Sequence, residues 1–112
     1  MRPDQSTAQV GEKYMRIAKI TVDSTQLEQY KIALREQMSA ALKSEKGVLA
    51  YAAVADKKRK NQITILETYA SIEAYKQHIQ TEHFKKYKIT VEKMVTDLEL
   101  VDVDPITIAS KL

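Results

Sequence analysis

Residues 48–55 read VLAYAAVA and residues 62–69 read QITILETY, with a polar stretch at residues 56–61 between them. Both runs are rich in β-branched, aromatic and small apolar residues, which predicts an antiparallel hairpin. When one face of an antiparallel sheet lies in water, apolar and polar residues alternate along each strand. Residues 48–55 do not alternate in this way, so we expect both faces of the hairpin to be covered.

The two expected faces of residues 48–55 are both apolar. One carries Val48, Ala50, Ala52 and Val54, and the other carries Leu49, Tyr51, Ala53 and Ala55. The helices of one small chain can cover only one face, whereas a second copy of the sheet can cover the other. At roughly 25 cal/mol per Å², several hundred Å² of such surface represents many kcal/mol. We therefore predict a homodimer with facing sheets and a cavity between each sheet and its helices; a partly exposed, alanine-softened strand is the alternative.

The segment before the hairpin predicts a strand followed by a helix. Residues 14–22 (YMRIAKITV) have the composition of a strand. Thr25 and Glu28 form a capping-box pattern, and Gly47 is expected to end the helix in a left-handed conformation. The apolar residues between them recur every three or four positions and form one stripe: Leu27, Tyr30, Leu34, Met38, Ala41 and Leu42.

The segment after the hairpin predicts a helical region in two pieces and a final strand. Ser71 is expected to cap a short helix that breaks near Thr81, and a further helix follows. Residues 98–103 (LELVDV) form the last strand, which Pro105 closes. The resulting order predicts an α+β fold, the ferredoxin-like split β-α-β antiparallel sheet. We expect a flexible lead-in at residues 1–13, a single domain at 14–104 and a tail at 105–112.

Composition excludes several classes of protein. The chain has 112 residues, a formal charge of +3, no cysteine and two glycines. These values argue against disulfides, thiolate zinc sites, phosphate-cradling loops and obligate nucleic-acid binding. No apolar run is long enough to span a membrane, and the N-terminal residues lack the apolar centre of a signal peptide. We expect no membrane partner and a cytoplasmic location.

The two histidines are the candidates for acid–base chemistry. His78 and His83 would lie about 140° apart on a continuous helix, so they would share a face only if the helix breaks between them. A metal site from His78, Glu82 and His83 is therefore not expected. His78 could act as a general base, because imidazole titrates near neutral pH. A hydrogen-bonded structural histidine is the alternative.

Six tyrosines accompany one phenylalanine and no tryptophan. Tyr51 and Tyr69 lie on the hairpin strands, and Tyr75 and Tyr87 lie on the helices expected above them. Such a set could line a cavity for a flat aromatic or quinonoid ligand, or it could simply fill a small core. The basic turn at residues 57–60 lacks interleaved aromatic residues, so no nucleic-acid partner is expected.

Residues 67–84 (ETYASIEAYKQHIQTEHF) resemble the antibiotic biosynthesis monooxygenase (ABM) family. Members typically show a strand ending in Glu and an aromatic residue, a Ser-x-x-Ala step, a His, and a small residue before His-Phe. The likeness extends from about Tyr14 to Val103. Within the family, the chain is most similar to the small quinol monooxygenases.

The resemblance implies a dimeric α+β barrel that oxygenates aromatic phenols or quinols without metal, flavin or haem. It implies that His78 is the base or a hydrogen-bond partner of the substrate. Tyr69 would be a wall of the pocket, with His83, Tyr51 and Tyr87 as further lining residues. A non-catalytic module that binds a small hydrophobic ligand in the same cavity is the alternative function.

Haem breakdown is not expected. The haem-degrading branch needs an Asn on the first strand, a Trp after the third strand and a His on the later helix. The corresponding places in this sequence are Ile20, Tyr69 and Tyr87.

Overall fold

The computed structural model describes residues 12–112. Most of the predicted lead-in at residues 1–13 therefore lies outside the described residues. The strands are β1 (Tyr14–Val22), β2 (Val48–Ala55), β3 (Gln62–Tyr69) and β4 (Val95–Val103), and the helices are α1 (Leu27–Ser44), α2 (Ile72–His78) and α3 (Glu82–Val91). A short 3-10 turn, Ser24–Gln26, precedes α1. Among the described residues, no helix is both long enough and apolar enough to cross a membrane.

The four strands form one antiparallel sheet in the order β2-β3-β1-β4. Strand β3 lies between β1 and β2, and β1 lies between β3 and β4. This interleaving is the split β-α-β arrangement, so the predicted α+β ferredoxin-like fold is confirmed. The predicted bounds of β1, β2 and β3 are also those of the structure. Strand β4 begins at Val95 rather than at Leu98, because Val95 already pairs with Val22 beyond an irregularity in register.

The core lies between one face of the sheet and the helices. Its sheet side comes from alternate residues of β1 and β3, as expected for strands with one buried face. The buried residues of this cluster are Ala18, Ile20, Val22, Tyr30, Leu34, Ile63, Ile65 and Val91. Val91 of α3 thus joins the stripe predicted for the first helix, and the two helices share one core.

A register shift between Val48 and Ala50 changes the predicted faces of β2. Val48 is buried with Ala41 and Tyr69, and Tyr51 packs against the same cluster. Val48 and Tyr51 therefore both contribute to the helix-facing side, whereas simple alternation placed them on opposite faces. This shift is a β-bulge, in which one extra residue reverses the parity of the strand.

Two predictions about the ends of α1 are wrong in detail. The side chain of Asp23, not that of Thr25, caps the first turn by accepting from the Thr25 backbone N–H at 3.0 Å. Asp23 is the better placed acceptor because the helical region begins with the 3-10 turn Ser24–Gln26, which Asp23 directly precedes. Gly47 does not adopt a left-handed conformation, since no glycine among the described residues has a positive φ. Gly47 is instead close to α2, where an added Cβ would meet the Ala74 Cβ at 2.5 Å.

The predicted break in the second helical region is confirmed. Ser71 caps α2 by accepting from the Ala74 backbone N–H. Thr81 caps α3 by accepting from the Phe84 backbone N–H, and its hydroxyl donates to the His78 carbonyl at 2.7 Å. The break therefore changes the direction of the chain between His78 and His83.

Candidate active site

A cavity of about 140 Å³ lies between the sheet and the helices. Its walls combine apolar residues with a few charged and hydroxylated ones, the usual character of a small-molecule site. The strands and α1 contribute Arg16, Ala18, Ile20, Leu34, Gln37, Met38, Tyr51, Ile65, Glu67, Leu98 and Leu100. The later helices contribute Tyr75, His78, Phe84, Tyr87 and Lys88.

His78 is held on both ring nitrogens at the end of α2. It is 1% exposed, its Nε2 lies 3.0 Å from the Tyr51 hydroxyl, and its Nδ1 lies 2.8 Å from Glu45 Oε2. A carboxylate can only accept, so Nδ1 carries the proton of the neutral ring and Nε2 has the free lone pair. Tyr51 therefore donates to Nε2. This is the tautomer that a general base on the cavity side requires.

Glu45 joins the two histidines. His83 Nε2 lies 2.5 Å from the same Glu45 oxygen that His78 contacts. The helix break is the reason, since it allows residues five apart in sequence to point at one carboxylate. The result is a chain of hydrogen bonds from Tyr51 through His78 and Glu45 to His83, whose side chain is 22% exposed.

Glu45, His78 and His83 are also the residues that could hold a metal ion. One donor atom from each lies within 4.8 Å of the other two. Two imidazoles and a carboxylate suit several divalent transition metals. His78 Nδ1 and His83 Nε2, however, each lie at hydrogen-bond distance from the same Glu45 oxygen. A bound ion would therefore have to replace the protons in these two contacts. The arrangement is therefore a hydrogen-bonded triad, with His78 oriented by Glu45.

Tyr51 remains neutral and acts as a donor at physiological pH. Burial, opposed in part by hydrogen bonding to Tyr69, raises the pKa of Tyr51 to about 12. Burial and the nearby Glu67 carboxylate also raise the pKa of Tyr69 well above its usual value. Both phenols thus keep their protons.

Arg16 and Glu67 place charge in the inner wall of the cavity. Arg16 donates through Nη1 to the Tyr75 hydroxyl, and its guanidinium carbon lies 4.8 Å from the centre of the Tyr75 ring. Glu67 accepts from the Tyr69 hydroxyl at 2.6 Å. Burial raises the pKa of Glu67, while the hydrogen bond from Tyr69 and the charge of Arg16 oppose that rise. The wall therefore offers both a fixed cation and a carboxyl group of raised pKa.

Two aromatic residues of α3, Phe84 and Tyr87, also line the cavity. The Tyr87 and Tyr30 hydroxyls lie 2.8 Å apart, and burial raises the pKa of Tyr87 above its usual value. Phe84 packs edge-on against His78, with ring centres 5.0 Å apart. These contacts restrict the imidazole ring to one orientation.

The sequence-predicted residues fall into two groups. His78, Tyr51, Tyr75 and Tyr87 line the cavity together. Tyr69 does not line it; it is buried behind the wall, where it supports Glu67 and packs 5.5 Å from the His78 ring centre. His83 reaches His78 only through Glu45 and borders a different, smaller cavity. The catalytic and binding roles of these residues stay predictions.

Four residues at the site were missed by the sequence analysis: Glu45, Arg16, Glu67 and Gln37. A signal existed for three of them. Arg16 and Glu67 occupy the apolar, inward parity of β1 and β3, and Gln37 lies within the apolar stripe of α1. Polar residues at such positions must find partners in the interior. Glu45 follows the end of α1 and gave no such signal.

The fold and the site together define a small ferredoxin-like α+β protein with an aromatic-lined cavity beneath its helices. The family model described as antibiotic biosynthesis monooxygenase matches residues 13–88. The chain therefore belongs to the antibiotic biosynthesis monooxygenase family. No curated protein shows a significant match to the sequence.

Solved structures support the same assignment. A protein from Bacteroides thetaiotaomicron, provisionally named antibiotic biosynthesis monooxygenase, is 43% identical, with a TM-score of 0.87 over 92% of this chain and 98% of its own. A protein from Lactobacillus acidophilus, provisionally named monooxygenase, is 27% identical with a TM-score of 0.79, over 80% of this chain and 43% of its own. One from Caulobacter crescentus is 18% identical with a TM-score of 0.81, over 91% and 97%, and shows likeness of fold alone.

Proposed function

We propose that this chain is a cofactor-independent monooxygenase that oxidises a quinol or related aromatic phenol with dioxygen. The observation that carries the proposal is the cavity-lining His78, whose Nε2 accepts from Tyr51 while Glu45 holds Nδ1. A base with a carboxylate behind it and a hydroxyl in front of it can take the proton of a phenol.

The reaction begins with removal of a proton from the bound quinol. Tyr51 takes that proton while giving its own to His78 Nε2, and Glu45 stabilises the resulting imidazolium. The electron-rich anion then passes one electron to dioxygen, and the two radicals combine to form a C–O bond. Loss of water leaves a hydroxylated quinone. One oxygen atom enters the ring, the other leaves as water, and the quinol supplies all four electrons, so the balance needs no other reductant.

The other residues of the wall support this chemistry. Arg16 supplies positive charge near the developing anion, and the apolar walls strengthen that attraction by keeping water out. Tyr75 holds the guanidinium by accepting from its Nη1 and through contact with its ring. His83, at the outer end of the hydrogen-bonded chain, gives the proton a route towards solvent.

Oxygen uptake tests the proposal. Reduced menadione and hydroquinone are supplied to the parent and to His78→Gln, which is close in volume and retains a hydrogen-bonding side chain. We expect uptake above the uncatalysed rate for the parent and a loss of roughly 100-fold in kcat for the variant, the usual contribution of a general base. Lys86→Ala, on the exposed side of α3, is the matched control.

Equal rates for parent and His78→Gln, with both folded by circular dichroism, would contradict the assigned base. Binding of the quinone by the parent without any oxygen uptake would favour the alternative, a non-catalytic module for a small hydrophobic ligand.

The cytoplasmic location stays a prediction.

We also propose that the protein is a homodimer whose sheets face each other. On the face of the sheet away from the helices, Ala52, Leu66, Ile17 and Val101 are cross-strand neighbours in one row. Leu66 of this row is 38% exposed in the single chain, and Val54, in the next row of the same face, is 61% exposed. A contiguous apolar row of this kind is typical of a sheet that packs on another sheet.

A further inference from the structure

Two buried polar atoms beside the cavity have no hydrogen-bond partner among the described residues: Arg16 Nε and Gln37 Oε1. Their side chains are only 8% and 6% exposed, so bulk water does not satisfy them. Both residues line the cavity, Arg16 from the floor formed by β1 and Gln37 from the roof formed by α1. Buried donors and acceptors in native proteins nearly always have partners, so an unpartnered pair at one cavity indicates a ligand.

The two atoms require complementary hydrogen-bonding groups on a ligand. The Arg16 Nε–H is a charge-assisted donor and needs an acceptor oxygen, while Gln37 Oε1 is an acceptor and needs a hydroxyl or N–H. Arg16 is not free to turn away, because its Nη1 is engaged with Tyr75. The remaining wall, including Ala18, Leu34 and Ile65, is apolar and would cover a flat hydrocarbon surface.

The volume limits the size of the ligand. The cavity of about 140 Å³ is close to the engineered cavity of about 150 Å³ that binds benzene in another protein. It is well below the roughly 300–1,000 Å³ of sites for drug-sized ligands. The volume therefore matches one aromatic ring better than two fused rings.

We propose that the cavity selects a single aromatic ring with two oxygen substituents, one accepting a hydrogen bond from Arg16 Nε and the other donating a hydrogen bond from its hydroxyl to Gln37 Oε1. The inference rests on the proposed function for the nature of the ligand, and it narrows the substrate class to monocyclic dihydroxyarenes. Arg16 and Gln37 become the residues that determine specificity. His78 and Tyr51 line the same cavity, so the proposed base and its hydroxyl partner would face the same ligand.

Anaerobic calorimetry tests the inference without any turnover. Hydroquinone, catechol and resorcinol each carry two oxygens on one ring, phenol carries one, and reduced menadione has two rings. We expect at least one dihydroxyarene to bind roughly tenfold more tightly than phenol or reduced menadione, as one extra buried hydrogen bond and a fitting volume require. Arg16→Lys and Gln37→Leu should each weaken that ligand by roughly tenfold.

Two controls separate recognition from folding. Arg35→Lys and Gln29→Leu make the same substitutions at exposed positions of α1 and should leave the dissociation constant unchanged. Gln37→Leu removes the unpartnered acceptor and also the side-chain hydrogen bond between Gln37 and Tyr51, so circular dichroism must first show that the variant is folded. Gln37→Glu, which keeps acceptor oxygens at this position, should bind the ligand more tightly than Gln37→Leu if the contact to the ligand hydroxyl exists.

Each result decides between the two proposals. Dihydroxyarene binding that depends on Arg16 and Gln37, without oxygen uptake, would overturn the proposed reaction and leave this inference standing. Oxidation of a quinol whose dissociation constant is the same in the parent and both variants would overturn this inference alone. Tighter binding of reduced menadione than of any monocyclic ligand would also overturn it.

Discussion

Glu67 shows how a single residue connects the fold to the site. It lies on β3 between Ile65 and Tyr69, on the parity that faces the core. A carboxyl group at such a position is costly unless its neighbours compensate. Tyr69 donates to it, and the charge of Arg16 is close enough to lower its pKa, so a hydrogen bond and a nearby cation offset part of the cost of burying this carboxyl group.

The raised pKa of Glu67 predicts a pH-dependent contribution to stability. An acid whose pKa is higher in the folded state binds a proton more readily there than in the unfolded chain. Its favourable contribution is therefore complete below the usual Glu value of 4.5 and is lost as the pH rises through the folded pKa. Compared with Glu67→Gln, the parent's free energy of unfolding should fall as the pH rises from 4 to 8.

Urea unfolding at several pH values measures this difference. Glu73→Gln, at an exposed position of α2, is the matched control for removal of one carboxylate. A parent and Glu67→Gln that change in parallel over the whole range would contradict the assignment of the raised pKa to Glu67.

At the scale of the elements, the segment between α1 and β2 passes close to α2 at Gly47. Gly47 has no unusual φ, so its role is to leave space for Ala74. This contact places the start of β2 against α2, and α2 carries His78 into the cavity wall. The helix break at residues 79–81 then brings His83 to Glu45, just past the end of α1.

Gly47→Ala should destabilise the protein by about 1–3 kcal/mol, the usual cost of overpacking a fixed contact. The added Cβ would lie 2.5 Å from the Ala74 Cβ, and both atoms are attached directly to the backbone. The measurement is the free energy of unfolding in urea, compared with that of the parent.

The double variant Gly47→Ala/Ala74→Gly provides the control. Removing the Ala74 Cβ clears the clash, although glycine in a helix itself costs about 1 kcal/mol. We expect the two changes to be non-additive, with the double variant more stable than the sum of the single losses. Strict additivity would show that the two residues do not meet.

At the scale of the whole molecule, the outer face of the sheet is divided. The row that contains Ile17 and Leu66 is apolar, whereas the next row carries Lys19, Thr64 and Glu99 beside Val54. Helices cover the opposite face only. In the single chain, the helices therefore do not cover the apolar half of the outer face.

The proposed dimer predicts a mass in light scattering of about twice the chain's 12.8 kDa. Leu66→Lys should give a single-chain mass, because it places a charge within the apolar row. Gln62→Lys, on the same strand and the same face but in a polar row, should leave the dimer intact. A parent with the mass of one chain at micromolar concentration would contradict the proposal.

The order of elements and most of their bounds could be predicted because they depend on local patterns. Strand composition over residues 48–55 and 62–69, and the Ser71 cap, are written in neighbouring residues. His78 was a candidate base by residue type, and the family resemblance favoured it. The bulge in β2 and the role of Gly47 could not be predicted, because each depends on a partner element that approaches from elsewhere in the chain.

The candidate site was likewise predictable only in part from the sequence. Residue types and spacing were enough to nominate His78 and the tyrosines, since an imidazole and several phenols suggest acid–base chemistry and an aromatic cavity. The link from Glu45 to both histidines, and the unpartnered atoms of Arg16 and Gln37, exist only in three dimensions. A hydrogen bond depends on distances of a few tenths of an ångström between residues more than thirty positions apart, and packing of the whole chain sets those distances.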